Sequence, residues 1–584
     1  MTAPNQDSVN PSGLFAWPLF TGAIALPTLL AFSMSPSATV GNQLASMGLW
    51  GLALLAIPPT GRLVQAVKAS SVLAGSLICL LAVSTWDLAV SSSPLSTTLS
   101  IQAFLLAALA VLLHGAATRC GYGEGYFTAW LITGFVSSAI ALIQVFLPEW
   151  ADGHLVARSG LAGRAVGNVR QPNHLSGLLL WSAVAIVPIL ERRRLPWSLG
   201  AILFALVVFA VELSASRTGF LGVIGLAVWG LADRRLSLGA RLLLCTAPVV
   251  YAAGWYAMTF WATEGHHTFG AATRLAEKDV SGSRFGIWSN ALALICMVPW
   301  SGVGFGEFNY AWSLTAFDGR PTAFFDHTHN LGLHLLVELG IPLGSLVIAL
   351  LLLALWQAFR RTWESGGAEG ASLRAAFVGV LLASIHSALE YPLWYGYFLL
   401  PTAWAWGYAL GGRAAPAQGS AGEAARSSLG PLLRIAGVLM VAGSVFAMKD
   451  YLRVAAIFDP AEDARPLEQR IAEGQRSVFF AHHADYAAAT VAEHPSEAWS
   501  AFGRAPYYLL DTRLMMAWAM AFAERGDLDR ARHIAARLRE FRNPQAEEFF
   551  APCKHEAVQP RPWQCEPPSR TMDWRDFESL KYSD

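Results

Sequence analysis

Two histidines stand close together where a polar loop runs into a long apolar segment. The stretch Phe325-Asp326-His327-Thr328-His329-Asn330 precedes an apolar run that passes through Val337-Glu338-Leu339-Gly340. Ionisable groups at a membrane boundary are costly to keep there and usually mark functional sites. An imidazole can take a proton from a hydroxyl group near neutral pH. We therefore interpret His329 as a general base or an acceptor-orienting residue; the simpler alternative is a residue that caps the next helix.

A metal site is the second chemistry that this segment permits. His334 and Glu338 lie four residues apart, which places them on one face of a helix, and both residue types bind zinc. The His-x-His pair with a single Asp lacks a convincing further ligand, and no paired-carboxylate cation site stands out elsewhere. We predict a site that works without a metal ion or other cofactor.

Polar and basic residues cluster in other segments beside apolar runs. Guanidinium groups bind pyrophosphate through paired N–H donors, so such a cluster suits a large anionic lipid headgroup. Simpler roles stay open for four of them. Asn173 can cap a helix, and Arg217 can contact lipid phosphate. Arg284 can be a surface charge, and Glu390 can lie in a turn before Pro392. The residues are Arg170, Gln171, Asn173, Arg217, Arg284 and Glu390. The glycines of Gly302-Val303-Gly304-Phe305-Gly306 can admit a phosphate or simply form turns.

The composition is that of a membrane protein. Apolar residues make up 54% of the 584 residues and charged residues 14%, against roughly 25% charged in soluble proteins. The net charge of zero gives no electrostatic basis for binding nucleic acid. We predict an all-α polytopic membrane protein, because about 13 apolar runs approach the ~20 residues that a bilayer requires. They lie near 13–33, 42–58, 70–90, 99–114, 126–147, 174–190, 196–213, 218–232, 240–262, 331–356, 373–390, 394–411 and 431–448.

The basic residues of the short loops predict the orientation. Alternate loops carry Lys or Arg, which marks them as cytoplasmic. The N-terminus is then cytoplasmic, and loops near 148–173 and 263–330 face the opposite side together with the chain from 449 onward. The first dozen residues lack the features of a cleavable signal peptide. The basic loop residues are Arg62, Lys68, Arg192 to Arg194, Arg234, Arg235, Arg360, Arg361, Arg413 and Arg426.

We divide the chain into a transmembrane domain, 1–448, and a small α-helical soluble domain, 449–584, with a cytoplasmic linker at 412–430. Leu514, Trp518 and Phe522 recur every four residues and predict one apolar helix face in the soluble domain. Cys553 and Cys565 can form a disulfide if this domain lies in an oxidising compartment. Cys120 falls in a loop assigned to the cytoplasm.

Several motifs resemble the bacterial O-antigen ligase and polymerase superfamily. Three motifs are similar to its signature. The first is His329-Asn330, followed after nine residues by Gly340. The others are the turn Ser216-Arg217-Thr218-Gly219, and Arg284 followed by the glycines at 302, 304 and 306. The segment from Gly167 to His174, which contains Gln171-Pro172-Asn173, resembles the branch of protein O-oligosaccharyltransferases that glycosylate pilins. The soluble C-terminal domain and Leu389-Glu390-Tyr391-Pro392-Leu393 resemble that branch too. Arg170 departs from it, since a small or polar residue is expected before Gln171.

The resemblance implies a GT-C-like fold in the bacterial inner membrane, with its active site facing the periplasm. It implies inverting transfer of a glycan en bloc from undecaprenyl pyrophosphate to a Ser or Thr hydroxyl of a pilin-like periplasmic protein. His329 would then activate the acceptor, while Arg217 and Arg284 would bind the pyrophosphate. Contacts to glycan or acceptor would come from other polar residues, namely Arg170, Gln171, Asn173, His327, Asn330 and Glu390.

Alternative functions differ in what they require. An O-antigen ligase joining glycan to lipid A-core, or an O-antigen polymerase, would use a sugar acceptor and would leave the long soluble tail harder to explain. A transporter of lipid-linked glycans would carry charges at the membrane midplane and an inverted repeat. The charges here gather at the rims of the apolar runs, and we find no such repeat.

Overall fold

The computed structural model describes residues 11–57, 59, 63–90, 93–118, 123–272, 280–322, 324–412, 429–554 and 560–578. Within these ranges the chain is helical, with short 3-10 turns and no β-strand. Arg62, Cys120, Arg413, Arg426 and most of the segment 412–430 lie outside the described residues.

A helix occupies every predicted apolar run. The ninth run, 240–262, divides into two helices at Thr246. The loop predicted near 263–330 contains a further helix, Val280–Met297. Numbered in chain order, the helices up to residue 458 are α1 (Pro11–Leu29), α2 (Val40–Ala56), α3 (Leu63–Val90), α4 (Leu95–Ala116), α5 (Gly123–Phe146), α6 (Pro172–Glu191), α7 (Trp197–Leu213), α8 (Arg217–Ala232), α9 (Leu238–Cys245), α10 (Ala247–Gly265), α11 (Val280–Met297), α12 (Phe308–Leu314), α13 (Leu331–Trp363), α14 (Gly367–Ser387), α15 (Gly396–Gly411) and α16 (Leu429–Phe458).

The tail continues with shorter helices that pair along the chain. These are α17 (Leu467–Gly474), α18 (Ala481–Val491), α19 (Ala505–Tyr508), α20 (Thr512–Glu524), α21 (Leu528–Phe541) and α22 (Arg575–Glu578). The predicted helix face is confirmed, because Leu514, Trp518 and Phe522 are all buried along α20.

The chain is a polytopic α-helical membrane protein. Eight of the described helices are both long and apolar enough to cross a bilayer, and five apolar helices are shorter. The shorter ones, counted as Trp17–Leu29, Val40–Ala56, Trp197–Leu213, Arg217–Ala232 and Arg284–Met297, have 13 to 17 residues, below the ~20 that a straight crossing requires. One of the eight longer spans, Leu238–Gly265, combines α9 and α10. The count of 13 crossings therefore stays a prediction.

The described residues form two compact units. The first comprises residues 1–77, 104–277 and 350–446, and the second comprises 78–103, 278–349 and 447–584. In the first unit, α6 is the central helix: it packs against α5, α7, α8 and α14, and nearly all of its residues are buried. Gly222 allows α8 to come this close, since a Cβ at that position would lie 2.1 Å from Leu180.

The second unit has an apolar core that joins the tail to earlier parts of the chain. One cluster of buried side chains includes Ile287 and Leu294 of α11, Trp312 of α12, and Trp518 and Phe522 of α20. The tail thus shares its main core with residues near 287–337. A second, smaller cluster within the tail consists of Ile457, Ile471, Ala484 and Ala487.

Helix α13 contains a break at Gly340. Its φ of 74° and ψ of 170° are not helical, and a Cβ there would lie 2.5 Å from the carbonyl oxygen of Trp300. Gly302 faces this break, with φ of 70° and a Cβ position 2.3 Å from the carbonyl oxygen of Glu338. Only glycine suits either position, because each combines a left-handed backbone with contact to another main chain.

Candidate active site

In the first unit, Asn173 joins two elements that are far apart in sequence. Its side-chain amide donates a hydrogen bond of 2.7 Å to the carboxylate of Glu390, and its oxygen accepts one of 2.7 Å from the hydroxyl of Ser216. All three side chains are buried. Since Ser216 immediately precedes Arg217, this network fixes the start of α8 relative to Glu390. The structure therefore brings together two of the predicted site residues, Asn173 and Glu390, and places Arg217 next in the chain to the Ser216 that completes the network.

The helix-cap alternative for Asn173 is wrong. Gln171 caps α6 instead, because its side-chain oxygen accepts a 2.7 Å hydrogen bond from the backbone N–H of His174. Pro172 occupies the first helical position, where the missing N–H costs nothing. Asn173 then lies inside the first turn, which leaves its side chain to bind Glu390 and Ser216.

Arg217 is the first residue of α8, and its side chain is exposed. The cap of this helix is Ser216, whose hydroxyl accepts from the N–H of Gly219 at 3.0 Å. The positive end of the helix dipole and the guanidinium group lie at the same place, and both favour an anion. This is the strongest local feature for the predicted pyrophosphate role of Arg217.

Two buried amides that sequence reasoning missed hold the loop before α6. The side chain of Gln144 accepts from the N–H groups of Val166 and Gly167 at 2.9 and 2.8 Å. Asn168 accepts from the N–H of Ala157 at 2.9 Å and donates to the carbonyl of Leu29 at 2.6 Å. The available signal was Gln144 itself, an uncharged polar residue inside an apolar run.

Arg170 has a partner on the main chain. Its guanidinium donates to the carbonyl oxygen of Ala31, and its own backbone is left-handed, with φ of 58°. This contact ties the loop before α6 to the segment after α1. A loop-holding role thus stands beside the predicted contact of Arg170 with substrate.

In the second unit, the two histidines of the loop lie side by side. The ring centroids of His327 and His329 are 4.2 Å apart, and His329 has a left-handed backbone with φ of 53°. His327 is buried and bonded through Nδ1 to the carboxylate of Asp326, whereas His329 is partly exposed. His329 is consequently the histidine that a substrate can reach.

The charges of this pair are set by its surroundings. Burial lowers the pKa of His327, and the hydrogen bond that its ring donates to Asp326 offsets only part of that effect. Burial by itself would raise the pKa of Asp326, but the hydrogen bond and charge of His327 outweigh it and leave the pKa below its usual value. At neutral pH, Asp326 is therefore ionised beside a neutral imidazole.

Neighbouring side chains fix the histidine loop. The indole N–H of Trp288 donates to the carbonyl of Thr328 at 2.9 Å, and the ring of Phe325 lies edge-on to His329 at 5.2 Å. Asn330 caps α13, since its side-chain oxygen accepts from the N–H of Leu333 at 2.9 Å. The helix-cap alternative for His329 is thereby wrong, and Asn330 performs that role.

Arg284 lies on the same helix as the tryptophan that holds the loop. It precedes Trp288 by four residues in α11, so the two share one face of that helix. Arg284 is partly buried. The structure thus places Arg284 on the face of α11 that contacts the histidine loop.

The other features of this segment have structural partners. His334 and Glu338 form a pair in α13, with 3.2 Å between Nε2 and Oε1. No set of three or more His, Cys, Asp or Glu side chains suited to a metal ion occurs among the residues that the structure describes. The N–H groups of Val303 and Gly304 donate to the carbonyls of Val337 and Glu338, at 2.9 and 3.2 Å. These amides are used within the fold, so the glycines serve close packing rather than a phosphate cradle.

Comparison with known proteins assigns the chain to a family. The model of the O-antigen ligase family matches residues 202–348, and that of the virulence factor membrane-bound polymerase, C-terminal, matches residues 375–551. The chain belongs to the O-antigen ligase superfamily. The O-antigen ligase segment contains Arg217, Arg284 and His329, whereas Glu390 falls in the second segment.

Two relatives in this superfamily come from Acinetobacter baylyi. The chain is 27% identical over 292 residues to the General O-oligosaccharyltransferase, and 26% identical over 289 residues to the ComP-specific O-oligosaccharyltransferase. The alignments cover 46% and 48% of this chain. The chain spans about half the length of these curated relatives, 49% and 50% respectively.

Proposed function

We propose that this protein transfers a glycan en bloc from undecaprenyl pyrophosphate to Ser or Thr hydroxyls of periplasmic proteins such as pilins. The observation that carries the proposal is the partly exposed His329, held beside the buried His327, whose ring is bonded to Asp326, within the segment that matches the O-antigen ligase family. Both Acinetobacter relatives carry the name O-oligosaccharyltransferase, which supports a protein acceptor.

The proposed reaction is a single displacement that inverts the anomeric centre. The acceptor oxygen attacks the anomeric carbon as its proton passes to His329, and the bond from that carbon to the pyrophosphate oxygen breaks. Undecaprenyl pyrophosphate leaves with the bonding electrons. Proton removal and charge stabilisation by positioned side chains are sufficient for this chemistry, and the proposed mechanism requires no metal ion.

Arg217 and Arg284 are assigned to the leaving group. The pyrophosphate gains charge as its bond to the sugar breaks, so guanidinium groups bind it more strongly in the transition state than in the ground state. Arg217 is favoured by its place at the exposed N-terminus of α8. Arg284 is favoured by its place one turn before Trp288, which holds the histidine loop.

The remaining polar residues are assigned to substrate contacts and to local order. The N-terminal turn of α6 is formed by Gln171 and Asn173, and Glu390 binds Asn173 there. The proposed base lies between His327 and Asn330 in the chain. The inner membrane, with the site on the periplasmic side, is the proposed location. The disulfide between Cys553 and Cys565 supports it, because such bonds persist in oxidising compartments.

The same machinery on a sugar acceptor is the second candidate. The family model that contains His329, Arg217 and Arg284 is described as O-antigen ligase, which favours transfer to lipid A-core as the alternative. The acceptor, rather than the donor, distinguishes the two functions.

The decisive test is transfer by the purified protein in detergent, with EDTA present. Undecaprenyl-pyrophosphate glycan is offered together with either a pilin-like protein or lipid A-core, and the glycosylated product is measured by mass. We expect product on the pilin-like protein with wild type. We expect a loss of at least about 10²-fold in His329→Ala, the low end of what a positioned general base contributes.

The control is His494→Ala, which removes an exposed histidine of the tail. It should transfer glycan at the wild-type rate. Product on lipid A-core alone would move the protein to the ligase function. Full activity of His329→Ala would refute the proposed base whatever the acceptor, and activity that EDTA abolishes would refute metal independence.

A further inference from the structure

A buried amide connects the soluble tail to the histidine loop. Asn309, on α12, accepts a 2.8 Å hydrogen bond from the N–H of Leu510 and donates one of 2.9 Å to the carbonyl of Phe325. Asn309 and Leu510 are both buried, with 7% and 0% of their surfaces exposed. One side chain thus satisfies a tail donor and a loop acceptor at the same time, which an apolar residue could not do.

Tyr310, the residue after Asn309 on α12, makes a second contact with the tail through aromatic packing. The rings of Tyr310 and Tyr507 stack with centroids 4.3 Å apart and an angle of 18° between their planes. The hydroxyl of Ser313 points to the carbonyl of Leu510 at 3.4 Å. Helix α12 therefore contacts the tail along its length, at both polar and aromatic positions.

A buried arginine joins the end of α12 to the last long helix of the tail. Arg320 donates to the carbonyl of Trp312 at 2.8 Å and to the carboxylate of Glu540 at 2.9 Å. Its guanidinium also lies over the ring of Phe541, 4.7 Å from the centroid. Burial lowers the pKa of Arg320 to about 10, so the group remains charged at neutral pH. Arg320 therefore links Trp312, on α12, to Glu540, on α21.

The loop side of this connection leads to the proposed base. Phe325, whose carbonyl receives the Asn309 bond, packs its ring edge-on against His329 at 5.2 Å. The tail therefore reaches Phe325 through Asn309, and Phe325 packs on His329.

We propose that the soluble tail is a structural part of the histidine site, and that Asn309 positions His329 through Phe325. A separately folded acceptor-binding module would carry its own core. The main core of the tail is instead continuous with α11 and α12, and only the smaller cluster of Ile457, Ile471, Ala484 and Ala487 lies apart from it. The catalytic consequence rests on the function proposed above, whereas the coupling between tail and loop does not.

The test uses the full-length protein and the variant Asn309→Asp. Aspartate keeps an oxygen for the N–H of Leu510 but replaces the donor to Phe325 with a second acceptor, so only the loop contact is lost. Amide hydrogen exchange in residues 324–330 should rise. Turnover should fall by about 10²-fold, the effect of a reacting group misplaced by ~1 Å. The KM for the lipid-linked donor should change little.

Ser313→Ala is the matched control on the same helix. It removes the long contact to Leu510 without touching Phe325, so exchange and turnover should stay at wild-type values. If Asn309→Asp does not fold, Tyr507→Leu removes the stacked ring from the tail side and should loosen the same seven residues. Folding is checked by thermal melting before either measurement.

The outcomes separate the coupling from the function. Unchanged exchange at 324–330 in a folded Asn309→Asp protein, or in Tyr507→Leu, would overturn the coupling. Increased exchange with unchanged turnover would overturn the positioning role of Asn309. A wild-type protein that transfers no glycan would refute the proposed function, while the exchange measurements would still decide whether the tail orders the loop.

Discussion

The side-chain amide of Asn173 donates a 2.7 Å hydrogen bond to the buried carboxylate of Glu390. The two residues lie in α6 and in the turn after α14, more than two hundred positions apart. Because the same amide accepts from Ser216, this pair helps to hold the start of α8 and therefore Arg217.

Asn173→Asp should destabilise the protein and reduce activity. The substitution sets two carboxylates against each other in a buried place, and losing a hydrogen bond to a charged group costs about 1.5–3 kcal/mol. Glu390→Gln should cost less, because the amide still accepts from Asn173. The double variant Asn173→Asp/Glu390→Gln reverses the pair and should recover most of the loss. A melting-temperature cycle checks this, and strictly additive losses would contradict a direct interaction.

Gly302→Ala should destabilise the second unit strongly. A methyl group there would meet the carbonyl of Glu338 at 2.3 Å, and the backbone has φ of 70°. We expect a cost of about 2 kcal/mol or more, from strain and from separation of the two main chains. Gly443→Ala is the control, since nothing lies within 4 Å of its Cβ position. It should be neutral or stabilising by up to about 1 kcal/mol. Thermal unfolding in detergent measures both, and equal melting temperatures would refute the close-packing role.

The tail should lose stability as the pH falls from 6.5 towards 4. Burial lowers the pKa of His533 from 6.5 to about 4, and the hydrogen bond to the carbonyl of Leu314 opposes this only in part. The unfolded chain binds a proton in this range and the folded chain does not, so stability is complete above pH 6.5 and declines below it. The shift corresponds to about 3 kcal/mol.

Urea unfolding of wild type and His533→Gln at pH 7.5 and pH 5 measures this contribution. His533→Gln should be less stable than wild type at pH 7.5, and its stability should depend less on pH. His494→Gln, at an exposed position, should follow the wild-type pH dependence. A wild-type stability that is constant over this range would contradict the prediction.

Reduction of the disulfide between Cys553 and Cys565 should expose the end of the tail to proteases. The bond closes a loop with a sequence separation of 12, for which the chain-entropy estimate is roughly 3 kcal/mol. Cys553→Ser/Cys565→Ser should be cleaved faster than wild type, and dithiothreitol should bring wild type to the same rate. Cys79→Ser, which removes an unpaired cysteine, is the control. Equal cleavage of oxidised and reduced protein would refute a stabilising role.

The helices were predictable from the sequence because apolar runs in a membrane protein must satisfy their backbone hydrogen bonds internally. Every predicted run became a helix, and the face formed by Leu514, Trp518 and Phe522 is buried as expected. The number of membrane crossings could not be predicted from the apolar runs alone, since helices such as α7 and α8 are shorter than a straight span. The possible disulfide between Cys553 and Cys565 is present.

Roles that depend on distant partners could not be predicted. The sequence offers Asn173 as a cap of α6, whereas the structure uses Gln171, because the side chain of Asn173 binds the distant Glu390. The glycine-rich segment gave no indication that Gly302 would meet Gly340. The role of Asn309 could not be predicted, because nothing in the local sequence Phe308-Asn309-Tyr310 indicates that its side chain binds Leu510 and Phe325. In each case the deciding contact joins two elements that are distant in sequence. Local sequence patterns do not show that such elements approach each other.

The contacts between α12 and the tail also bear on biosynthesis. When His329 is made, the ribosome has still to add roughly 200 residues before Leu510 and Glu540 are available to hold the loop. At about 5–20 residues per second, that interval is roughly 10–40 s. During this interval the nascent chain contains His329, the proposed base, but not the tail residues that we propose to order its loop. An incomplete chain released from the ribosome would therefore reach the membrane without an ordered histidine loop.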